Sequence, residues 1–409
     1  MGRTAIFMVM GMTAIFLFFG KSANEVGTEA VDNSITYYEN TQRYNIAVAG
    51  ANLACNAIFL DKTWRAGFSN MSFNGGIINV TLYDSASGKV VITSTGTYQS
   101  SVHTVKILLN PSSISKFAMY SGNVSAAAKL RSGDTINGPI HFNSKLVTQG
   151  NPVFIGKATM GSLQTTSGTP TFLGGYQTGV NIPFPSYTAS ANAIVAAASA
   201  VGGTNDYHVG GEMYLRFSVV AGVTKVEYKS SSAAVWEAPV DLATFAPTGN
   251  IAMVNGTVHV EGTLKGQVTI TSTVFPSTTV PSATVGATYI ESNLRYNTDP
   301  LITPSSTDML GLVSAGDIII EEIPIRIDGS FFTNTSMKLD ASLINTNPAE
   351  QLKIVGSLIT KDIGPTDFGT GASKGANFYM KYDTRLENNP PANFPFPSTN
   401  SFEVLSWFE

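Results

Sequence analysis

From Thr4 to Gly20 the chain runs without a charge, between Arg3 and Lys21. At about 1.5 Å per residue, a helix of that length just reaches across a thin membrane or spans it at a tilt. From Asn24 to Leu60 there is no proline, and apolar residues recur at three- and four-residue steps. One stripe is Val26, Ala30, Tyr44, Val48, Ala51, Cys55 and Ile58; beside it lie Ile46, Ala49, Leu53, Ala57 and Leu60. The pattern predicts one long helix, apolar throughout in its first half and amphipathic in its second. Gly11, Gly20, Gly27 and Gly50 each weaken it by up to about 1 kcal/mol relative to Ala and mark kinks or close helix approach. Cys55 reads as a small buried apolar residue.

Asp61, Lys62 and Gly67 end the helical pattern. Residues 76–83, 89–98 and 102–109 are then rich in β-branched side chains and punctuated by Ser and Gly, which predicts an antiparallel meander. The amphipathic half-helix would bury its stripe on that sheet, with Trp64 plugging the junction.

After Phe117 the texture changes to short apolar pulses between turn residues, at 132–160, 248–273, 314–333 and 350–360. The expectation is a solenoid of stacked parallel coils (a β-helix) with Ser, Thr and Asn outside; a sandwich is the alternative. Residues 176–247 stand apart, with a short helix at 190–201 and a hairpin of 212–219 with 224–229 turning at Gly222. They read as an insertion whose aromatics, Tyr207, Tyr214, Tyr228 and Trp236, are a candidate ligand surface, with core packing as the leading role for most of them. The fold class is thus α+β, mostly β. Its parts are a helix at 1–60, a meander at 61–115, a body at 116–175 and 248–409, and the insertion at 176–247.

Charge narrows the function. Charged residues make up 13% of the chain, about half of the roughly 25% usual in soluble domains. With 24 basic residues and a net charge of −4, a nucleic-acid footprint is excluded. A single cysteine excludes an internal disulfide and a multi-cysteine metal site. His141 and His259 could align on neighbouring coils, but without a cluster of acids they make no metal site. Asp134 with Asn137 reads as a turn capped by an Asp side chain.

No nucleophile elbow, zincin motif or P-loop occurs. GTPTFLGG and FGTGAS do not open a long helix after a strand. Glu321 and Glu322 point to opposite faces of a strand and read as edge charges, with Asp328 nearby. No cofactor and no catalytic activity are expected. Signal-peptidase cleavage after Ala23 would put Lys21, and after Gly20 would put Phe18, at a position that wants a small residue. The helix is therefore expected to be retained.

The apolar helix followed by AVAGANLACNAIFLDKTWRAGF and a meander ending in ITSTGTY resembles the type IV pilin-like proteins, in particular the PilX-type minor pilin group. That resemblance spans roughly residues 1–110. GDTINGPIHFN, SSTDMLGLVSAGDIII and the tail KYDTRLENNPPANFPFPSTNSFEVLSWFE resemble a β-rich domain of unknown function that follows such N-termini in bacterial envelope proteins. The resemblance implies a structural subunit of a cell-surface filament. It would sit in the inner membrane before assembly and display its β-rich body outward afterwards. Its partners would be copies of itself or other pilin-like subunits, met through Ala5, Ile6, Val9, Gly11, Ala14, Ile15, Phe18 and Gly20, the small residues easing close helix approach. The alternative is a membrane-anchored adhesin or carbohydrate-binding protein using the 176–247 insertion. A third reading, a glycan hydrolase or lyase, would require carboxylates converging on one face of the solenoid.

Overall fold

The computed structural model describes residues 2–85, 89–111, 114–124, 129–202, 205–275, 285–323, 325–343, 351–363, 376–387, 389–395 and 402–408. FGTGAS (368–373) and residues 388 and 396–401 of the resembling tail lie outside them. The chain divides into two units, Met1–Ser112 with Asn400–Glu409, and Ser113–Thr399.

In the first unit, helix α1 runs unbroken over Gly2–Leu60. Its glycines do not interrupt it, and a Cβ at Gly11, Gly20 or Gly27 would meet nothing within 4 Å. Strands β1 (Phe68–Phe73), β2 (Gly76–Asp84), β3 (Val90–Tyr98) and β4 (Ser101–Pro111) form the expected antiparallel meander. A fifth strand comes from the far end of the chain: Phe402–Phe408 pairs antiparallel with β4, Trp407 opposite Ile107. The body drawn at 248–409 therefore ends earlier, because these last residues complete the small sheet.

Ile46, Ala47, Ala51, Ala54 and Ile58 pack against Ile78, Val80, Val90, Ile92, Val105, Ile107 and Leu109. Each large aliphatic buried this way contributes about 1.5–3 kcal/mol. The buried stripe draws on both predicted stripes; Leu60 stays outside at 76% exposed, and Cys55 is half-buried. Two glycines allow the approach. A Cβ on Gly96 would lie 2.4 Å from Ala47 N and Arg43 O, and one on Gly50 2.5 Å from Ser94 Oγ. Ser94 Oγ donates to Ala47 O at 2.7 Å, fixing the helix against the sheet. Trp64 is half-buried on this core, its ring 5.2 Å from Phe68.

The second unit is built on parallel ladders. Strand Ile140–Gln149 pairs with Ala158–Ser167 at an offset of eighteen residues, Ile140 opposite Ala158, and Ala158 then pairs with Tyr176 at the same offset. Tyr207–Val220, Asn250–Leu264, Thr288–Tyr296, Ile325–Leu339 and Gln351–Ile363 follow one another by parallel pairing. Parallel stacking of successive coils is a solenoid-like architecture rather than a sandwich of antiparallel sheets.

The coil order is not the chain order. The chain enters mid-stack at strand Met119–Val124, climbs to Tyr176–Gln177, crosses to Tyr207–Val220 and works back. The two arms close where Gln351–Ile363 pairs with Met119–Val124, Leu358 opposite Met119. Ser357 Oγ donates to Phe117 O at 2.6 Å across that seam.

Helix α2 (Tyr187–Ser199) lies on the crossing segment and packs its Ile194 and Ala198 with Ala252, Val313, Phe332 and Ile359 on the outside of the coils. The outward Ser and Thr of those strands are thus covered rather than solvated. Thr271 Oγ1 donates to Val313 O at 2.9 Å and Thr333 Oγ1 to Gly316 O at 2.7 Å, so these two hydroxyls stay bonded on burial, whereas Ser330 Oγ and Thr360 Oγ1 have no partner among the described residues. The range read as an insertion is built into the stack: Tyr207–Val220 pairs with Asn250–Leu264 from Tyr207–Ala252 to Phe217–Gly262.

Candidate functional site

Residues 4–20 of α1 are the first candidate. Ala5, Ile6, Val9, Gly11, Ala14, Ile15, Phe18 and Gly20 are all exposed. Spacings of three and four put Gly11, Ala14, Ile15 and Phe18 on one helix face, and Ala5, Ile6 and Val9 on another that Gly20 rejoins three turns later. Phe7, Phe16, Leu17 and Phe18 are each at least 70% exposed. Among the described residues this is the one helix long and apolar enough to cross a membrane.

The predicted ligand surface does not assemble as expected. Tyr228 belongs to the interior of the stack, its ring stacked on His208 at 4.9 Å. Tyr207 stands on the neighbouring end of its strand, opposite Ala252. Only Tyr214 and Trp236 come together, through Lys229, whose ammonium lies 4.6 Å from the Tyr214 ring and 4.9 Å from Trp236. Arg216 adds a second cation 4.2 Å from Trp236.

Parallel register builds a different feature on the outer face. Tyr214 aligns with His259, and His259 with Tyr289, so three rings stack at 4.0 and 4.6 Å with planes 15° and 5° apart. Two residues further along each strand stand Arg216, Glu261 and Glu291, and beyond Ile319 and Lys338 on the next coils stand Glu321 and Asp340. Glu321 N donates to Ile290 O and Asp340 N to Ile320 O, which carries the row onward. Glu321 is thus part of an inter-coil row and not a solvated edge charge.

An ion pair neutralises part of that row, Arg216 Nε bonding Glu261 at 2.7 Å, and His259 Nδ1 hydrogen-bonds Glu291. Burial, with Asp340 and Glu291 nearby, pushes the Glu321 carboxyl up. Burial, then Glu212 and Glu291, pushes the Tyr214 phenol up to about 12. The ring faces cover one another and Lys229 covers the end, so the column braces the coils and offers no open stacking platform.

His141 lies elsewhere, between Thr159 Oγ1 and Asn143 Oδ1, each at 2.8 Å. Asn143 clamps the crossing segment by accepting from Ile182 N at 2.8 Å and donating to Ile182 O at 2.6 Å. Asp134 does more than cap its own turn. Its carboxylate accepts from Arg131 N at 2.6 Å and from Phe378 N at 2.9 Å, joining the two arms. Burial, offset in part by these bonds, pushes it up to about 6. Asp328 is also pushed up by burial, against the pull of Arg326, which it binds together with Asp299.

Among the described residues no three His, Cys, Asp or Glu are grouped to hold a metal ion. Two hollows, of about 460 Å³ beside Thr224, Leu242 and Lys265 and about 330 Å³ beside Asn143, Asn181 and Lys361, have no carboxylate, histidine or cysteine in their lining. The aromatic column escaped the sequence because its steps are unequal, 45 residues from Tyr214 to His259 and 30 from His259 to Tyr289. A fixed-period search cannot find it.

No family model matches the chain, and no curated protein matches it either. Among solved structures it is similar to the competence-associated pilin ComZ from Thermus thermophilus, with 13% identity, 90% of this chain and 96% of that chain covered, and a TM-score of 0.30.

Proposed function

We propose that this protein is a pilin-like structural subunit of a bacterial surface filament. Its α1 is held in the inner membrane before assembly and packs among the helices of other subunits afterwards, with the β-rich body on the outside. The observation that carries this reading is the division of α1. Its C-terminal half packs on the small sheet, while its first half keeps two uncharged faces with no partner among the described residues.

Moving that surface from lipid into helix–helix contacts costs little hydrophobic energy, and packing at small residues then decides the contact. Gly11 and Ala14 on one face and Ala5 and Gly20 on the other suit a helix with neighbours on both sides. Low charge over the body lets copies lie close without strong repulsion. The role is structural rather than enzymatic.

Shearing appendages from cells and pelleting them, followed by mass spectrometry, tests the reading. The chain is expected in the sheared filament fraction. Its retention in the inner membrane as single copies would refute assembly.

A further inference from the structure

The parallel stack of the Ser113–Thr399 unit has two unlike ends. At one, Tyr207–Val220 is covered by the antiparallel strand Val223–Lys229, from Tyr214–Lys229 to Val220–Val223. That covering strand carries Lys225, Glu227 and Lys229, and Lys225 is paired with Asp241.

The other end is open. Ala158–Ser167 gains a next-coil partner only at Ala158 and Thr159, and past it Gly179 N and Val180 N reach the carbonyls of Gly161 and Met160. From Ser162 to Ser167 the outer edge meets no further strand among the described residues. An aromatic column also stops here. Phe154 stacks on Phe172 at 4.7 Å and 11°, and Tyr176 follows at 4.9 Å. Tyr176 and the neighbouring Leu173 remain 56% and 67% exposed.

Charge distinguishes the ends further. Residues 158–205 contain no Asp, Glu, Lys or Arg, the stretch that builds this end and leaves it. Sheet edges exposed to solvent are ordinarily guarded by charges that repel a second edge. This one has only Pro170 and glycines. Lys145 reaches the edge from the neighbouring strand, its Nζ donating to Gln164 Oε1 at 2.9 Å, so a strongly charged partner finds little counter-charge there and its own image meets little repulsion.

We propose that the open coil end, residues 162–177, is a self-association surface on which the same end of a second copy docks about a two-fold axis. Head-to-tail stacking is disfavoured because Val223–Lys229, with its charges, already covers the opposite end from Tyr214 to Val220. A two-fold contact instead sets the free edge against its own antiparallel image and continues the column from Tyr176 to the partner's Tyr176. This contact is separate from the helix contacts proposed above.

Cysteine cross-linking of the full chain in detergent, in a Cys55→Ser background, tests it. Single cysteines at Thr166, Thr171 and Tyr176 report the open end, and Val235→Cys reports the covered end. Mild oxidation is expected to give a disulfide dimer at one or more of the three positions, in at least tenfold excess over Val235→Cys. Adding Leu173→Lys to the best cross-linker should cut the dimer at least fivefold, since that side chain is exposed and its change spares the fold. Phe18→Asp should leave the dimer intact, which separates this contact from helix assembly. No dimer at any of the three positions, equal dimer at Val235→Cys, or indifference to Leu173→Lys would each overturn the proposal.

Discussion

Away from the open coil end, the large apolar side chains left in solvent in the Ser113–Thr399 unit are scattered, as with Val209, Val235 and Ile302. In the other unit they cluster, from Ile6 to Phe19 on one stretch of α1. Scattered exposure is ordinary on a folded protein, but a continuous apolar surface of that extent marks a partner or a membrane. The parallel body completes its core with its own coils, α2 and the crossing segment. The first unit completes a core only for the half of α1 that meets its sheet. Assembly is therefore expected to depend on the first unit, and the body to fold without it.

The largest expected effect is at the uncovered surface. Phe18→Asp places a charge on the uncovered face near the end of the apolar stretch, where its insertion cost falls below the roughly 2.5–3.5 kcal/mol of a helix centre. It should remove the chain from the sheared filament fraction more than tenfold, while the proteolytic pattern of the body stays unchanged. Next comes the covered half of the helix. Gly96→Ala drives a Cβ into Ala47 N and Arg43 O, an overpacking worth about 2–3 kcal/mol. Hydrogen exchange should then rise in residues 43–58 and the small sheet, with the parallel ladders still protected.

The body should respond to pH through Asp134. Its folded carboxyl, at about 6, lies above an ordinary carboxylate near 3.9, so the folded state holds the proton more tightly. Stability from this group therefore rises as pH falls through that window, by at most about 1.4 kcal/mol per pH unit. The melting temperature of the wild-type body minus that of Asp134→Asn should be greater at pH 4.5 than at pH 7.5. A smaller effect attaches to Ser94→Ala, which removes the bond to Ala47 O at about 1 kcal/mol. It should lower only the first unit's unfolding transition in calorimetry.

The long helix was legible because α1 is periodic over many turns and free of proline, and the meander because its strands are local and β-branched. The fifth strand of the small sheet was not legible: Phe402–Phe408 pairs with residues nearly 300 positions earlier, and nothing local announces that partner. The short apolar pulses of the body fit a parallel solenoid and a sandwich alike, and its parallel pairing shows only in the structure. The order of its coils could not be read either, since the seam joins Leu358 to Met119.

The candidate assembly residues of α1 are legible from their apolarity and small size, and they are exposed. The proposed ligand aromatics failed as a set because strand alternation sends Tyr228 inward on Val223–Lys229, while Tyr214 faces out on the neighbouring strand. The carboxylates Glu261, Glu291, Glu321 and Asp340 fall into one row only through inter-coil register, which no single stretch of sequence encodes.

The central claim is that the first half of α1 meets the helices of other subunits. A photoreactive residue at Ala14 in cells, with Ile302 on the body as control, tests this most directly. Helix-to-helix adducts with copies of this chain or another pilin-like subunit at Ala14, and none through Ile302, are the predicted result. Labelling of lipid alone at Ala14, in cells that carry the assembled appendage, would contradict it.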